Sequence, residues 1–138
     1  MAFFVVKLEV KYEMNKKIYN TNLKIGSLFD GIGVFPLSAS RFGISPTWAS
    51  EIEKAPISIT KRHFPNMLHL GDITKVNGEE IPPVHIITFG SPCQNLSNIG
   101  KREGLTGSQS SLFYHAIRII EEMRCATNGT YPVIAVWE

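Results

Sequence analysis

Cysteine is scarce in this sequence. Its 138 residues hold two, Cys93 and Cys125, and neither belongs to a C-x-x-C pair. That excludes the usual zinc spacings and leaves little ground for a disulfide in a cytosolic chain. Long apolar runs are missing too, and none approaches the roughly 18 residues that a membrane span needs. The opening MAFFVVKLEV has six apolar residues before Lys7 and no charged stretch ahead of them. That is too short for a secretory core, so the expected location is cytoplasmic, nucleoid-associated if the chain acts on DNA, with no membrane partner. Charge of one sign is also lacking. The net charge is +2, but residues 1–24 carry five Lys and two Glu, while residues 25–138 carry nine basic and ten acidic side chains. The larger part is therefore not basic, as a duplex-gripping surface normally is. With 43% hydrophobic and 19% charged residues, the chain still has the composition of a globular domain.

Residues 1–22 read as an extension of unknown role, in which Phe4, Val6, Leu8 and Val10 alternate at the period of a strand. From Leu23 a repeating pattern begins. The apolar run LKIGSLF stops at DGIG, and VFPLSASRF follows with helical spacing, Pro36 being tolerated in a first turn. ISPTWASE is extended, KAPISITKRHF is helical and halts before Pro65, and MLHLG is a short third strand. VHIITFG and PVIAVW are apolar at nearly every position, as strands buried on both faces are. Between them LFYHAIRIIEEM sets Leu112, Phe113, Ala116, Ile117, Ile120 and Met123 on one helical face. Such alternation predicts an α/β fold, a mostly parallel sheet with helices on both faces.

In open parallel sheets, ligands bind beyond the carboxyl ends of the strands. The expected strand ends are rich in chemistry: Asp30-Gly31-Ile32-Gly33, then Glu51, Gly71-Asp72, Gly90-Ser91-Pro92-Cys93-Gln94, and Glu138. The glycine turn lets backbone approach a ligand closely, but it is not a full G-x-G-x-x-G and also reads as purely structural. Glu51 lies 20 residues after Gly31, the spacing at which a carboxylate reaches ribose hydroxyls. Asp72 reads equally as an acceptor for an adenine amino group or as the cap of the next turn. Cys93, in a Pro-Cys turn at the mouth of a buried strand, reads as a nucleophile, against the general rule that a lone cysteine is structural. Cys125, at the end of a helix, reads as a packing or surface residue.

These segments resemble the cytosine-5 DNA methyltransferases over residues 23–138. SLFDGIG, ASEIEKA, GDIT, FGSPCQNLSNIGKREGL, SSLFYHAIRII and VWE resemble six of the family's motifs, in the family's order. The resemblance implies a Rossmann-like methyltransferase fold and S-adenosylmethionine as cofactor. Phe29, Asp30, Gly31, Ile32, Gly33, Gly90 and Pro92 would border it, with Glu51 on the ribose, Ile52 against the adenine, and Asp72 and the Ile73 amide at the adenine edge. Cys93 would attack C6 of a cytosine flipped from double-stranded DNA, and Glu138 would contact its N3. Residues 97–105 would form a loop closing on DNA, with Gln94, Ser97, Lys101 and Arg102 as contacts.

The sequence departs from the family in two ways. Gln109 stands where an Arg is usual, and the family's target-recognition region and later motifs do not follow Glu138. Residues 23–138 are thus expected to be the N-terminal part of a catalytic domain, inactive on DNA alone, with a second chain or a cognate restriction endonuclease as further partners. The alternatives are a non-catalytic cofactor-binding fragment, a subunit of a split methyltransferase, or a small-molecule enzyme using Cys93.

Overall fold

The computed structural model describes residues 21–90 and 110–138. Residues 1–20 and the segment 91–109, which includes Pro92, Cys93, Gln94, Ser97, Lys101, Arg102 and Gln109, lie outside them. The described elements are β1 (Lys24–Leu28), α1 (Val34–Arg41), β2 (Ser45–Ser50), α2 (Lys54–His63), β3 (Leu68–His69), a single 3-10 turn (Ile73–Lys75), β4 (Ile86–Phe89), α3 (Ser110–Ala126) and β5 (Ile134–Trp137). Each falls where the hydrophobic pattern puts it.

The five strands form one sheet in the order β3-β2-β1-β4-β5, and every pairing is parallel. The order reverses between β1 and β4. With right-handed crossovers, α1 and α2 then cover one face and α3 the other. This is the expected doubly wound architecture.

The α3 face carries the apolar core. Leu28, Trp48, Ile87 and Phe89 from the sheet pack with Ala116, Ile119, Ile120 and Met123 from α3. The helical stripe is wider than the sequence spacing suggests, because Ile119 is fully buried as well. Gly26 is dictated by Trp48: a Cβ at position 26 would lie 2.2 Å from the indole ring. The indole N–H donates to the Pro82 carbonyl at 2.9 Å, which ties β2 to the link before β4. Register between β1 and β2 shifts between Ile25 and Gly26, beside Pro46, which has no N–H to give to a ladder.

The connection from β3 to β4 is held against α3 by polar contacts. Arg118 donates to the Val76 and Ile73 carbonyls at 2.8 and 3.1 Å and pairs with Glu122 at 2.8 Å. Glu122 in turn accepts the Gly78 N–H at 2.7 Å. Three backbone groups of this link, the Ile73 and Val76 carbonyls and the Gly78 N–H, thus find charged partners, which suits a link with little regular structure.

Candidate functional site

Register aligns the strand ends. Leu28 stands opposite Ser50 on one side and Phe89 on the other, and Phe89 opposite Trp137. The residues that follow, Phe29, Glu51, Gly90 and Glu138, therefore leave the sheet in one row. Beyond this edge lies a cleft of about 360 Å³ lined by Phe29, Ser50, Glu51, Ile52, Glu53, Asp72, Ile73, Gly90 and Leu112. That volume is at the small end of ligand pockets.

The turn after β1 is built on left-handed backbone. Phe29, Gly31 and Gly33 have φ of 55°, 57° and 82°. Glycine takes such values freely, whereas Phe29 does so at a cost. At Gly33 space matters too, because a Cβ would lie 2.6 Å from Thr60 Cγ2 of α2. The Asp30 N–H donates to the Ser50 carbonyl at 3.0 Å, which fastens the turn to the end of β2.

Glu51 is fixed by three backbone amides. Its Oε2 accepts the Gly31 N–H at 2.8 Å, and its Oε1 accepts the N–H groups of Ile52 and Glu53 at 2.7 and 3.0 Å. A carboxylate has about four acceptor positions. Taking both hydroxyls of a ribose would thus require the Gly31 bond to exchange. Asp72 does both things that its position allows. Its Oδ1 accepts from the Thr74 N–H and hydroxyl at 2.9 and 2.8 Å, capping the 3-10 turn, while the residue also lines the cleft. These bonds to Thr74, the backbone one first, hold its carboxyl below the usual carboxylate range.

Of the residues singled out by sequence, Phe29, Glu51, Ile52, Asp72, Ile73 and Gly90 come together around this one cleft. Gly31 reaches it through its bond to Glu51. Asp30, Ile32 and Gly33 do not line it. Ile32 is exposed, Gly33 is packed on Thr60, and Asp30 turns into the interior and is 6% exposed. Glu138 is exposed at the end of β5, its N–H bonded to the Phe89 carbonyl at 3.1 Å, on the same edge but outside the cleft wall. Ser50, Glu53 and Leu112 line the cleft without having been singled out. Ser50 and Glu53 flank Glu51 and could have been found from it. Leu112 was read only as a core position.

Asp30 is electrostatically unusual. Neither carboxyl oxygen has a hydrogen-bond partner among the described residues, and nor does the Ser27 hydroxyl. Burial, with a smaller push from the Glu51 charge, raises its pKa to about 6, although the nearby Ser27 hydroxyl pulls the other way. The arrangement as a whole offers acceptors along one wall and apolar side chains, Phe29, Ile52, Ile73 and Leu112, around the rest. That combination can hold a flat heteroaromatic ring bearing a polyhydroxylated group.

Comparison with known proteins adds to this geometry. The profile of the C-5 cytosine-specific DNA methylases matches residues 23–127. The type II methyltransferase M.MspI of Moraxella sp is 37% identical over 110 residues, covering 79% of this chain and 26% of that protein. The type II methyltransferase M.HhaI of Haemophilus parahaemolyticus is 34% identical over 104 residues, covering 75% of this chain and 32% of that protein. A solved DNA modification methyltransferase encoded within an E. coli prophage superposes with a TM-score of 0.62 at 29% identity, over 75% of this chain and 30% of its own. The chain thus spans about a quarter to a third of the length of these relatives.

Proposed function

The chain belongs to the C-5 cytosine-specific DNA methylase family, and on that premise we propose that it carries the cofactor site and the nucleophile of a DNA (cytosine-5-)-methyltransferase. The observation that carries the proposal is the cleft at the strand ends, with Glu51 held by three amides at its centre. The residues suit S-adenosylmethionine. Glu51 would take the ribose hydroxyls, Ile52 and Ile73 would pack on the adenine, and the oxygen of Asp72 that Thr74 leaves uncommitted would accept the adenine amino group. When bound, the cofactor supplies a methyl group activated by a positively charged sulfur.

The chain's own residues do the rest. The C5 of a neutral cytosine is a poor nucleophile. Addition of a thiolate to C6 makes it one and splits a hard step into two easier ones. Cys93 is the proposed thiolate, reaching a base flipped out of the duplex because the ring carbon is inaccessible within the stack. Glu138 would hydrogen-bond N3, where charge develops as the thiolate adds. Loss of the C5 proton and departure of the cysteine then leave 5-methylcytosine. Lys101 and Arg102, with Gln94 and Ser97, would face the DNA.

Residues 23–138 would then act as one part of a catalytic domain. We expect these 138 residues by themselves to methylate duplex DNA slowly or not at all, since they span about a quarter to a third of the relatives' length. An oligonucleotide carrying 5-fluorocytosine tests the chemistry, because the fluorine blocks the final elimination and traps the enzyme. With the remaining length of a relative supplied in trans, a covalent adduct lost in Cys93→Ser supports the proposal. An adduct that survives that substitution overturns it. The alternative, a cofactor-binding chain without catalysis, predicts S-adenosylhomocysteine binding with no adduct under any complementation.

A further inference from the structure

We propose that Asp30 is a specificity-determining residue, a buried carboxyl behind the glycine turn that favours a positively charged ligand in the cleft over its neutral counterpart. The inference deepens the cofactor reading above and rests on it. It concerns how the site tells S-adenosylmethionine, with its sulfonium charge, from the product S-adenosylhomocysteine, which lacks that charge.

The geometry places the carboxyl close behind the cleft wall. Phe29, on one side of Asp30 in the chain, lines the cleft; Gly31, on the other, donates its N–H to Glu51. The Asp30 N–H itself bonds to Ser50, a third cleft residue. One turn of backbone therefore separates the carboxyl from the ligand space. The side chain is buried, 6% exposed, near Ser27 and Gly33. A Cβ on Gly33 would lie 3.6 Å from Oδ2.

Among the described residues, no basic side chain acts on this carboxyl. The Thr60 hydroxyl is committed to the Pro56 and Ile57 carbonyls. The first turn of α1 is Val-Phe-Pro-Leu and carries no charge. From β1 the neighbour is the Ser27 hydroxyl, and from the end of β2 it is the Glu51 carboxylate. Among the described residues, a carboxylate so placed has only the nearby Ser27 hydroxyl to favour its charge and no counter-charge, and it carries its proton more readily than an ordinary aspartate. It already responds to Glu51, a charge in the cleft wall. A cation seated against that wall must act on it with the opposite sign.

The consequence is linkage. A sulfonium in the cleft favours the ionised carboxyl, so S-adenosylmethionine binding releases a proton to solvent near pH 6. S-adenosylhomocysteine has the same amino and carboxyl groups without the sulfonium, so its binding releases less. Above pH 6, where Asp30 is ionised, the site prefers the charged ligand by roughly tenfold, the scale of unit charges about 10 Å apart at an effective dielectric near 20.

Calorimetric titration of the 138-residue chain with each ligand, between pH 5 and 7.5 and in two buffers of different ionisation enthalpy, tests this. The expected result is S-adenosylmethionine affinity rising about tenfold with pH, S-adenosylhomocysteine affinity nearly flat, and proton release confined to the former. Asp30→Asn removes the difference, leaving S-adenosylmethionine at its low-pH affinity throughout. Asp30→Ser, smaller and uncharged, gives the same flat profile should the amide disturb folding, and melting scans report the folded state of each variant. Identical pH profiles for the two ligands, or proton release that persists in both variants, overturn the proposal while leaving the cofactor reading intact. A folded wild-type chain that binds neither ligand at any pH overturns both.

Discussion

On the α3 side of the sheet, Leu28, Trp48, Ile87 and Phe89 meet Ala116, Ile119, Ile120 and Met123, and every member of that cluster is apolar. On the α1–α2 side the alternate residues of the same strands are Ile25, Ser27, Ala49 and Thr88, and the buried neighbours include Asp30 and Thr60. The orphaned polar atoms also keep to the second side. Ser27, Asp30 and His69, which stands opposite Ala49 in the ladder, hold all of those found among the described residues. Apolar burial near 25 cal/mol per Å² makes the first face the main source of stability. Unpaired polar groups make the second face weaker, and sensitive to charge. One sheet thus separates cohesion from titration, and the glycine turn projects from the second face to the site.

The largest expected effect lies on the apolar face. Ile119→Ala removes a fully buried side chain from the centre of α3 and should cost about 2–5 kcal/mol in denaturant unfolding. A loss below about 1 kcal/mol would break the comparison. The next effect belongs to the polar face. Burial pushes the pKa of Asp30 up to about 6 in the folded chain, against 3.8 for an ordinary aspartate. The native state therefore binds more protons than the unfolded state between those values. Stability falls as pH rises from about 4 to about 6 and stays lower above, by on the order of 2–3 kcal/mol. Asp30→Asn should lack that fall and be more stable than the wild type at pH 7.5. Equal melting temperatures for the two proteins at pH 4, 6 and 7.5 would remove the titrating group from the account. A smaller effect is expected at Glu51. Glu51→Gln leaves one acceptor oxygen where two now take backbone amides, and should weaken S-adenosylhomocysteine binding about tenfold with a smaller loss of stability. Equal losses of affinity and stability would make Glu51 a structural residue.

Much of this was legible in the sequence, and the exceptions share a cause. VHIITF reads as a buried strand and β4 is one, with Val84, Ile87, Thr88 and Phe89 buried. VIAVW reads the same way, but β5 is an edge strand among the described residues, and Val133, Ile134 and Trp137 are exposed. Glu51 was legible because its distance from the glycine turn is set by one strand–helix–strand repeat. What stayed hidden depends on contacts between elements. The fit of Trp48 over Gly26 joins two strands in a register that includes a bulge, and no local pattern announces it. Ile119 lies at the margin of the helical stripe and is buried by the link around Gly78, not by the sheet alone. Asp30 read as a ligand neighbour because the family resemblance implies that its turn borders a cofactor. The left-handed turn carries its side chain to the interior instead. The two roles of Asp72 stood side by side in the sequence and both geometries occur.

The central claim is that an adenosyl ligand occupies the cleft at the strand ends. Amide chemical-shift mapping during titration with S-adenosylhomocysteine tests it most directly. The account predicts the largest shifts at Gly31, Ile52, Glu53 and Ile73, whose N–H groups surround Glu51 and Asp72, and small shifts along α3 beyond Ala116. Saturable binding that leaves those four amides unmoved, or that moves the opposite edge of the sheet, would contradict it.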